Sequence, residues 1–176
     1  MPDLSFETAA LTSGYAAIAG VDEVGRGPLA GPVVAAAVIL DLANLPTGLQ
    51  DSKKLSPARR SALAKAILAS AHVSIAQASV EEIDDINILQ ATYLAMRRAL
   101  QGLAKTPDFA LIDGNRLPPG LICPAKTIIK GDDLSASIAA ASIVAKVHRD
   151  SLMADLAQRF AGYGWENNAG YGTKQH

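Results

Sequence analysis

The stretch Ala16-Ala17-Ile18-Ala19-Gly20-Val21-Asp22-Glu23-Val24-Gly25-Arg26-Gly27-Pro28-Leu29-Ala30-Gly31-Pro32-Val33 decides the architecture. Its first six residues are apolar and run into glycine-rich sequence, which predicts a short buried strand over 16–21. A second strand is predicted over 33–40, rich in valine and isoleucine. The glycines and prolines of 22–32 exclude regular structure and predict a loop or hairpin connection. That connection opens on two adjacent carboxylates, Asp22 and Glu23.

Outward from this core, Ser56 and Pro57 place a hydroxyl cap and an N1 proline ahead of a helix that runs to Ser70. A strand follows over 72–79. Ser79-Val80-Glu81-Glu82 has the form of a capping box and opens a helical region that breaks near Asn87 and resumes over 89–100. Short strands at 109–112 and 125–129 end at Asp113-Gly114-Asn115 and at Lys130-Gly131-Asp132-Asp133. The last long element is a helix over about 135–160, dense in alanine and serine from Ala136 to Ala145, a composition that permits close packing on a sheet. Strands first, then strands alternating with helices, predict an α/β fold with a mixed central sheet.

With 176 residues the chain has the length of one domain, expected to span 1–176. Apolar residues make up 49% of it, yet no apolar run reaches the roughly 18 to 20 residues of a membrane span. The start at Met1 lacks the basic flank and apolar stretch of a secretory signal, and Cys123 is the sole cysteine, so a cytoplasmic protein with no membrane partner is expected. A net charge of −1 means that any binding of nucleic acid must come from local patches.

Three strand-to-loop junctions carry acids: Asp22 with Glu23, Asp113, and Asp132 with Asp133. Ligands of open α/β sheets collect at strand ends, so these carboxylates can converge. Converging carboxylates repel unless they share protons or bind a cation, and an oxygen-only set suits Mg²⁺ or Mn²⁺. Each junction also has a plain alternative. Asp-Gly is ordinary turn chemistry, and Asp132 and Asp133 precede a helix whose positive end favours them. Spacing alone does not separate a nuclease from another Mg²⁺ enzyme acting on phosphates. Adjacent residues of a regular strand face opposite ways, so a bend at the following glycines is expected if Asp22 and Glu23 serve one site.

Six stretches, from Ala19–Val33 through Asp51–Ser56, Ile112–Asn115, Lys130–Asp132 and Ala140–Asp150 to Gly170–His176, lie in one order along nearly the whole chain. Together they resemble the bacterial ribonuclease HII family. The resemblance implies a ribonuclease H-like fold, a five-stranded mixed sheet flanked by helices. It implies an endoribonuclease of ribonucleotide excision repair; no oligomer signal stands out in the sequence, so a monomer is expected. Such an enzyme cuts the RNA strand of RNA/DNA hybrids and incises 5′ of ribonucleotides embedded in duplex DNA, leaving 3′-hydroxyl and 5′-phosphate ends. It assigns Asp22, Glu23, Asp113 and Asp132 as catalytic ligands of two divalent ions, Mn²⁺ or Mg²⁺, and gives Asp133 no such role. Gly25, Arg26 and Gly27 are matched to the segment that reads the ribose 2′-hydroxyl through its backbone. Ser52, Lys53 and Lys54 are matched to phosphate contacts, and Tyr171 to the ring that packs on the sugar of the next deoxynucleotide.

Lys130, Lys146 and Arg149 are expected to widen the basic surface, while His72 and His148 carry no assigned role. Phe160, Tyr163 and Trp165 suit either a stacking surface or closure of the core. Family members continue past the position of His176 through a further helical segment, so Tyr171 is expected to be loosely anchored. Ribonuclease HIII is a rival with an extra N-terminal domain, for which the residues before the first motif leave no room. A hybrid-binding protein without catalysis is a second rival, and the four intact acids argue against it.

Overall fold

The computed structural model describes residues 1–174 and 176; Gln175, within the last matched stretch, lies outside the described residues. Strands β1 (Ile18–Val24), β2 (Val33–Ile39), β3 (His72–Ala78), β4 (Phe109–Asp113) and β5 (Ala125–Ile128) form one sheet in the order β3-β2-β1-β4-β5. The hairpins β1–β2 and β2–β3 are antiparallel, whereas β4 lies parallel to β1, and β5 parallel to β4. The mixed sheet therefore matches expectation.

Two helical layers cover it. Helix α3 (Val80–Gln101) packs on one face, where Ala91, Ala95, Met96 and Ala99 meet Ala19, Val21 and Ile112. Helices α2 (Pro57–Ser70) and α5 (Ala136–Arg159) pack on the other, against Val34, Ala36 and Val38. The expected caps are present. Ser56 accepts from the Arg59 amide, and Ser79 and Glu82 complete the capping box of α3. The break in α3 falls at Asn87, whose φ of 68° interrupts the helix while its side chain accepts from the Leu89 amide and so restarts it.

The small residues of α5 have a direct reason. A Cβ on Gly20 would fall inside the backbone of Ser137 and Ile138, so α5 crosses β1 backbone to backbone. Helix α1 (Ser5–Thr12), which periodicity did not reveal, pins this crossing: the buried Glu7 carboxylate accepts from the hydroxyls of Ser135 and Ser137 and from the Ser137 amide.

Two boundaries differ from the sequence reading in a way that matters for the site. Strand β1 runs on to Val24, held in register by the pairs Asp22 with Ala36 and Glu23 with Ala35, so both acids belong to the strand and not to a loop. Asp132 likewise lies within a one-turn helix, α4 (Gly131–Leu134), entered through Lys130 at φ 58°.

Candidate active site

Strand pairing places the acids. Asp22 and Glu23 lie in the last three residues of β1, Asp113 ends the parallel neighbour β4, and Asp132 follows β5 on α4. Oxygens of Asp22, Glu23 and Asp113 all lie within 4.8 Å of one another. Along β1, Val21 packs on the α3 side and Val24 on the α5 side, so Glu23 leaves the sheet with the former and Asp22 with the latter. Their carboxylates nonetheless approach each other and that of Asp113, which ends β4. The chain turns at Gly25, with φ 106°, at the glycines where the bend is expected.

Hydrogen bonds set the remaining geometry. Asp22 Oδ1 accepts from the Glu23 amide at 2.8 Å, and Asp113 Oδ1 accepts from the Gly131 amide at 2.6 Å, which ties β4 to α4. Asp132 stands outside the close group, with its Oδ2 3.5 Å from Lys53 Nζ. Burial, reinforced by Glu23 and Asp113, raises the Asp22 carboxyl well above the usual carboxylate range. Burial also raises Glu23, against the opposing pull of Arg26, and burial raises Asp113. Three carboxyls whose proton affinity is raised by burial and crowding, one of them buried and two partly buried, with no sulfur or imidazole in the group, form a donor set suited to hard divalent ions. A cation there would offset the mutual repulsion that raises them.

The basic residues divide into two kinds. Lys53, its side chain 77% exposed, and Lys54 sit on a 3₁₀ turn, Ser52–Lys54, that Asp51 caps by accepting from the Lys53 amide. Partial burial works against the Lys53 ammonium, yet Asp132, Asp51 and Asp22 hold it above its ordinary value. Lys54 pairs with Asp133. Ser52 is buried and its hydroxyl bonds Ser142 at 2.8 Å, so it supports the lysine turn from beneath and does not face a phosphate. Arg26 is half exposed and 3.5 Å from Glu23. Lys130 is exposed, and Lys146 is paired with Asp150 at 2.7 Å. Arg149, expected on the surface, is fully buried, because its guanidinium is taken by backbone carbonyls.

Beside Glu23 and Asp113 opens a cleft of about 420 Å³, lined on the far side by Thr92, Tyr93, Asn115 and Arg116. Sequence reasoning did not single out these four as a wall; Asn115 and Arg116 were findable as polar residues trailing the Asp113 turn, whereas Thr92 and Tyr93 come from the continuation of α3 past its break. Tyr171 is 37% exposed, and its ring is the nearest atom group, at 3.8 Å, to a Cβ built on Gly27. The glycine loop and the tyrosine thus stand side by side. Tyr163 stacks on Trp165 at 4.9 Å, with Phe160 edge-on at 6.2 Å, and Tyr163 and Phe160 stay about half exposed, so this group neither closes the core nor borders the acids. His72 and His148 face outward.

A sheet of this order, acids at the ends of its central parallel strands and a helix laid across β1, defines a nuclease of the ribonuclease H fold. Comparison narrows the class: the ribonuclease HII family model matches residues 19–176, and the chain belongs to that family. It is 64% identical over 175 residues to ribonuclease HII of Ruegeria sp. (strain TM1040), an alignment covering 99% of this chain and 76% of that one. Among solved structures it resembles ribonuclease H2 from Pyrococcus horikoshii OT3 with a TM-score of 0.77 and 28% identity, over 90% of this chain and 82% of the other. It also resembles ribonuclease HII of Archaeoglobus fulgidus, solved as a complex with PCNA, with a TM-score of 0.71 and 30% identity over 90% and 83%. The activity that follows is that of a metal-dependent endoribonuclease on RNA/DNA hybrids. No helix among the described residues is long and apolar enough to cross a membrane.

Proposed function

We propose that this chain incises duplex DNA on the 5′ side of an embedded ribonucleotide, as well as cutting the RNA strand of hybrids, with Asp22, Glu23, Asp113 and Asp132 as the catalytic set. The observation that carries this reading is the convergence of three carboxylates from two neighbouring strand ends within 4.8 Å, each with its proton affinity raised by burial. When bound, two divalent ions, Mn²⁺ or Mg²⁺, supply Lewis acidity for a hydrolysis that leaves 3′-hydroxyl and 5′-phosphate ends. Asp22, Glu23 and Asp113 would hold them. Asp132 would complete the set, and Lys53 and Lys54, at the rim beside it, would contact the phosphate backbone.

Gly25, Arg26 and Gly27 read the ribose. Gly27 carries no side chain and a Cβ there would touch only the Tyr171 ring, at 3.8 Å, so its peptide is left uncovered for a sugar to approach. Tyr171, beside it, packs on the sugar of the deoxynucleotide that follows. The test is a duplex carrying one ribonucleotide, incubated with Mn²⁺ or with EDTA. A single nick 5′ of the ribonucleotide in Mn²⁺ alone is expected. Cutting that persists in EDTA refutes the metal assignment, and equal cutting of all-DNA duplex refutes the ribose readout.

A further inference from the structure

We propose that Arg149 is a positioning residue that locks the Gly25–Pro32 loop to the Ala169–Tyr171 segment, so that ribose readout and junction readout act as one rigid unit. The proposal rests on the reading that Gly25–Gly27 and Tyr171 contact neighbouring sugars. Arg149 is wholly buried on α5, and its fork reaches both segments: Nε donates to Pro32 O at 3.0 Å, Nη2 to Ala30 O at 2.9 Å and Nη1 to Ala169 O at 2.9 Å. A buried charge is tolerated only when its donors are satisfied, so the three carbonyls are held where the guanidinium requires them.

The surroundings show how tightly. A Cβ on Gly25 would stand 2.6 Å from Arg149 Nε and 2.6 Å from Pro32 O, so the loop closes directly onto the side chain. Ala169 takes a left-handed φ of 47°, a conformation that disfavours alanine, and its carbonyl is the one that receives Nη1. The segments also bond each other through the Leu29 amide and Gly170 O at 2.8 Å. The Tyr171 ring lies 6.0 Å from the Arg149 guanidinium and 5.5 Å from Lys146 Nζ, so the same arginine that holds the loop also borders the ring. A lysine at 149 presents a point charge without the planar fork and does not span three carbonyls on two segments.

The experiment measures kcat/KM on a junction substrate and on a continuous hybrid for the wild type, Arg149→Lys, Tyr171→Ala and the double variant, with Mn²⁺ affinity by calorimetry and melting temperature alongside. Arg149→Lys is expected to lower the junction-to-hybrid ratio about tenfold, equivalent to about 1.4 kcal/mol, with Mn²⁺ affinity retained. The double variant is expected to show no lower ratio than Tyr171→Ala alone, since the two changes remove one unit. A wild-type ratio in Arg149→Lys, with only the melting temperature lowered, overturns the proposal and leaves a structural brace. If Tyr171→Ala itself keeps the wild-type ratio, the junction reading falls and the coupling with it. Should Arg149→Lys fail to fold, Asn168→Ala decides: Asn168 Oδ1 accepts from the Gly170 amide at 2.8 Å and Nδ2 donates to Tyr163 O, so its loss frees only the C-terminal half of the unit. A lowered ratio in that variant supports the coupling, and an unchanged one overturns it.

Discussion

Asp113 Oδ1 accepts a hydrogen bond from the Gly131 amide at 2.6 Å, so the last acid of β4 orients the turn that presents Asp132. An asparagine at 113 keeps a carbonyl oxygen for this bond and removes only the charge. Asp113→Asn is therefore expected to fold as the wild type and to lose several kcal/mol of transition-state stabilisation, about a thousandfold or more in kcat. Hybrid cleavage in Mn²⁺ checks it, and wild-type turnover would remove Asp113 from the catalytic set.

The raised carboxyls have a thermodynamic signature. Asp22, Glu23 and Asp113 bind protons more tightly in the folded than in the unfolded chain. Their contribution to stability is full below the ordinary carboxylate range and is lost as pH rises through their raised values. Asp22→Asn removes one such group while its amide oxygen still receives the Glu23 N–H. In EDTA the variant is expected to gain on the wild type as pH increases from about 4 to 8, with each kcal/mol worth roughly 2–4 °C for a chain of this size. Added Mn²⁺ reverses the order, because only the intact set binds the ion well. Melting curves with parallel pH dependence would contradict the burial argument.

Lys53 and Lys54 are each held by an acid, Asp132 and Asp133, at the rim of the site. Replacing both by alanine is expected to weaken substrate binding equally for all sequences and to reduce the salt slope by about one unit per lost phosphate contact. Binding isotherms at several salt concentrations, with Ca²⁺ in place of Mn²⁺, measure that slope. An unchanged slope assigns the pair to carboxylate neutralisation alone.

Gly27→Ala separates readout from folding. The new methyl group would meet only the Tyr171 ring, at 3.8 Å, which is ordinary contact, so the melting temperature is expected to stay unchanged. Discrimination between ribonucleotide and all-DNA sites is expected to fall by about tenfold or more, as the backbone no longer approaches the sugar. Gly25 gives no such clean test, because its Cβ would strike Arg149 and Pro32.

Tyr171→Ala removes a ring that is partly exposed and borders the glycine loop. Contacts of this kind are worth about 1 to 3 kcal/mol, measured for base stacking, so a loss of roughly 5- to 150-fold is expected on a junction substrate and less on a continuous hybrid. Equal losses on both would make the ring a general contact.

The three acid-bearing junctions were visible because each acid follows a short apolar run. Turn chemistry and helix-end charge explain each one singly, and only their recurrence at three strand ends pointed to a site. Convergence of Asp22 with Glu23 was legible only as a problem, since period-two alternation sends them to opposite faces; the strand end where both become free is a matter of β1 and β2 register. Arg149 shows the opposite failure. Its place one turn from Lys146 on a helix suggests a solvated stripe, and only the packing of two distant loops reveals that its face is inward. Helix α1 left little periodic signal because it buries few side chains, and Glu7 among them is polar.

The backbone contact between α5 and β1 at Gly20 acts as a gauge block. Asp22 lies two residues along the strand from it, and Asp132 sits on the turn that feeds the helix, so their separation is set by main chain pressed on main chain and not by the volume of any side chain between them. Substitutions that enlarge or shrink the cores beneath α2 or α3 then alter how long the molecule survives heat before they alter the spacing of its acids. Any side chain at Gly20, a residue outside the acid cluster, would force α5 off the strand and so shift Asp132 against Asp22.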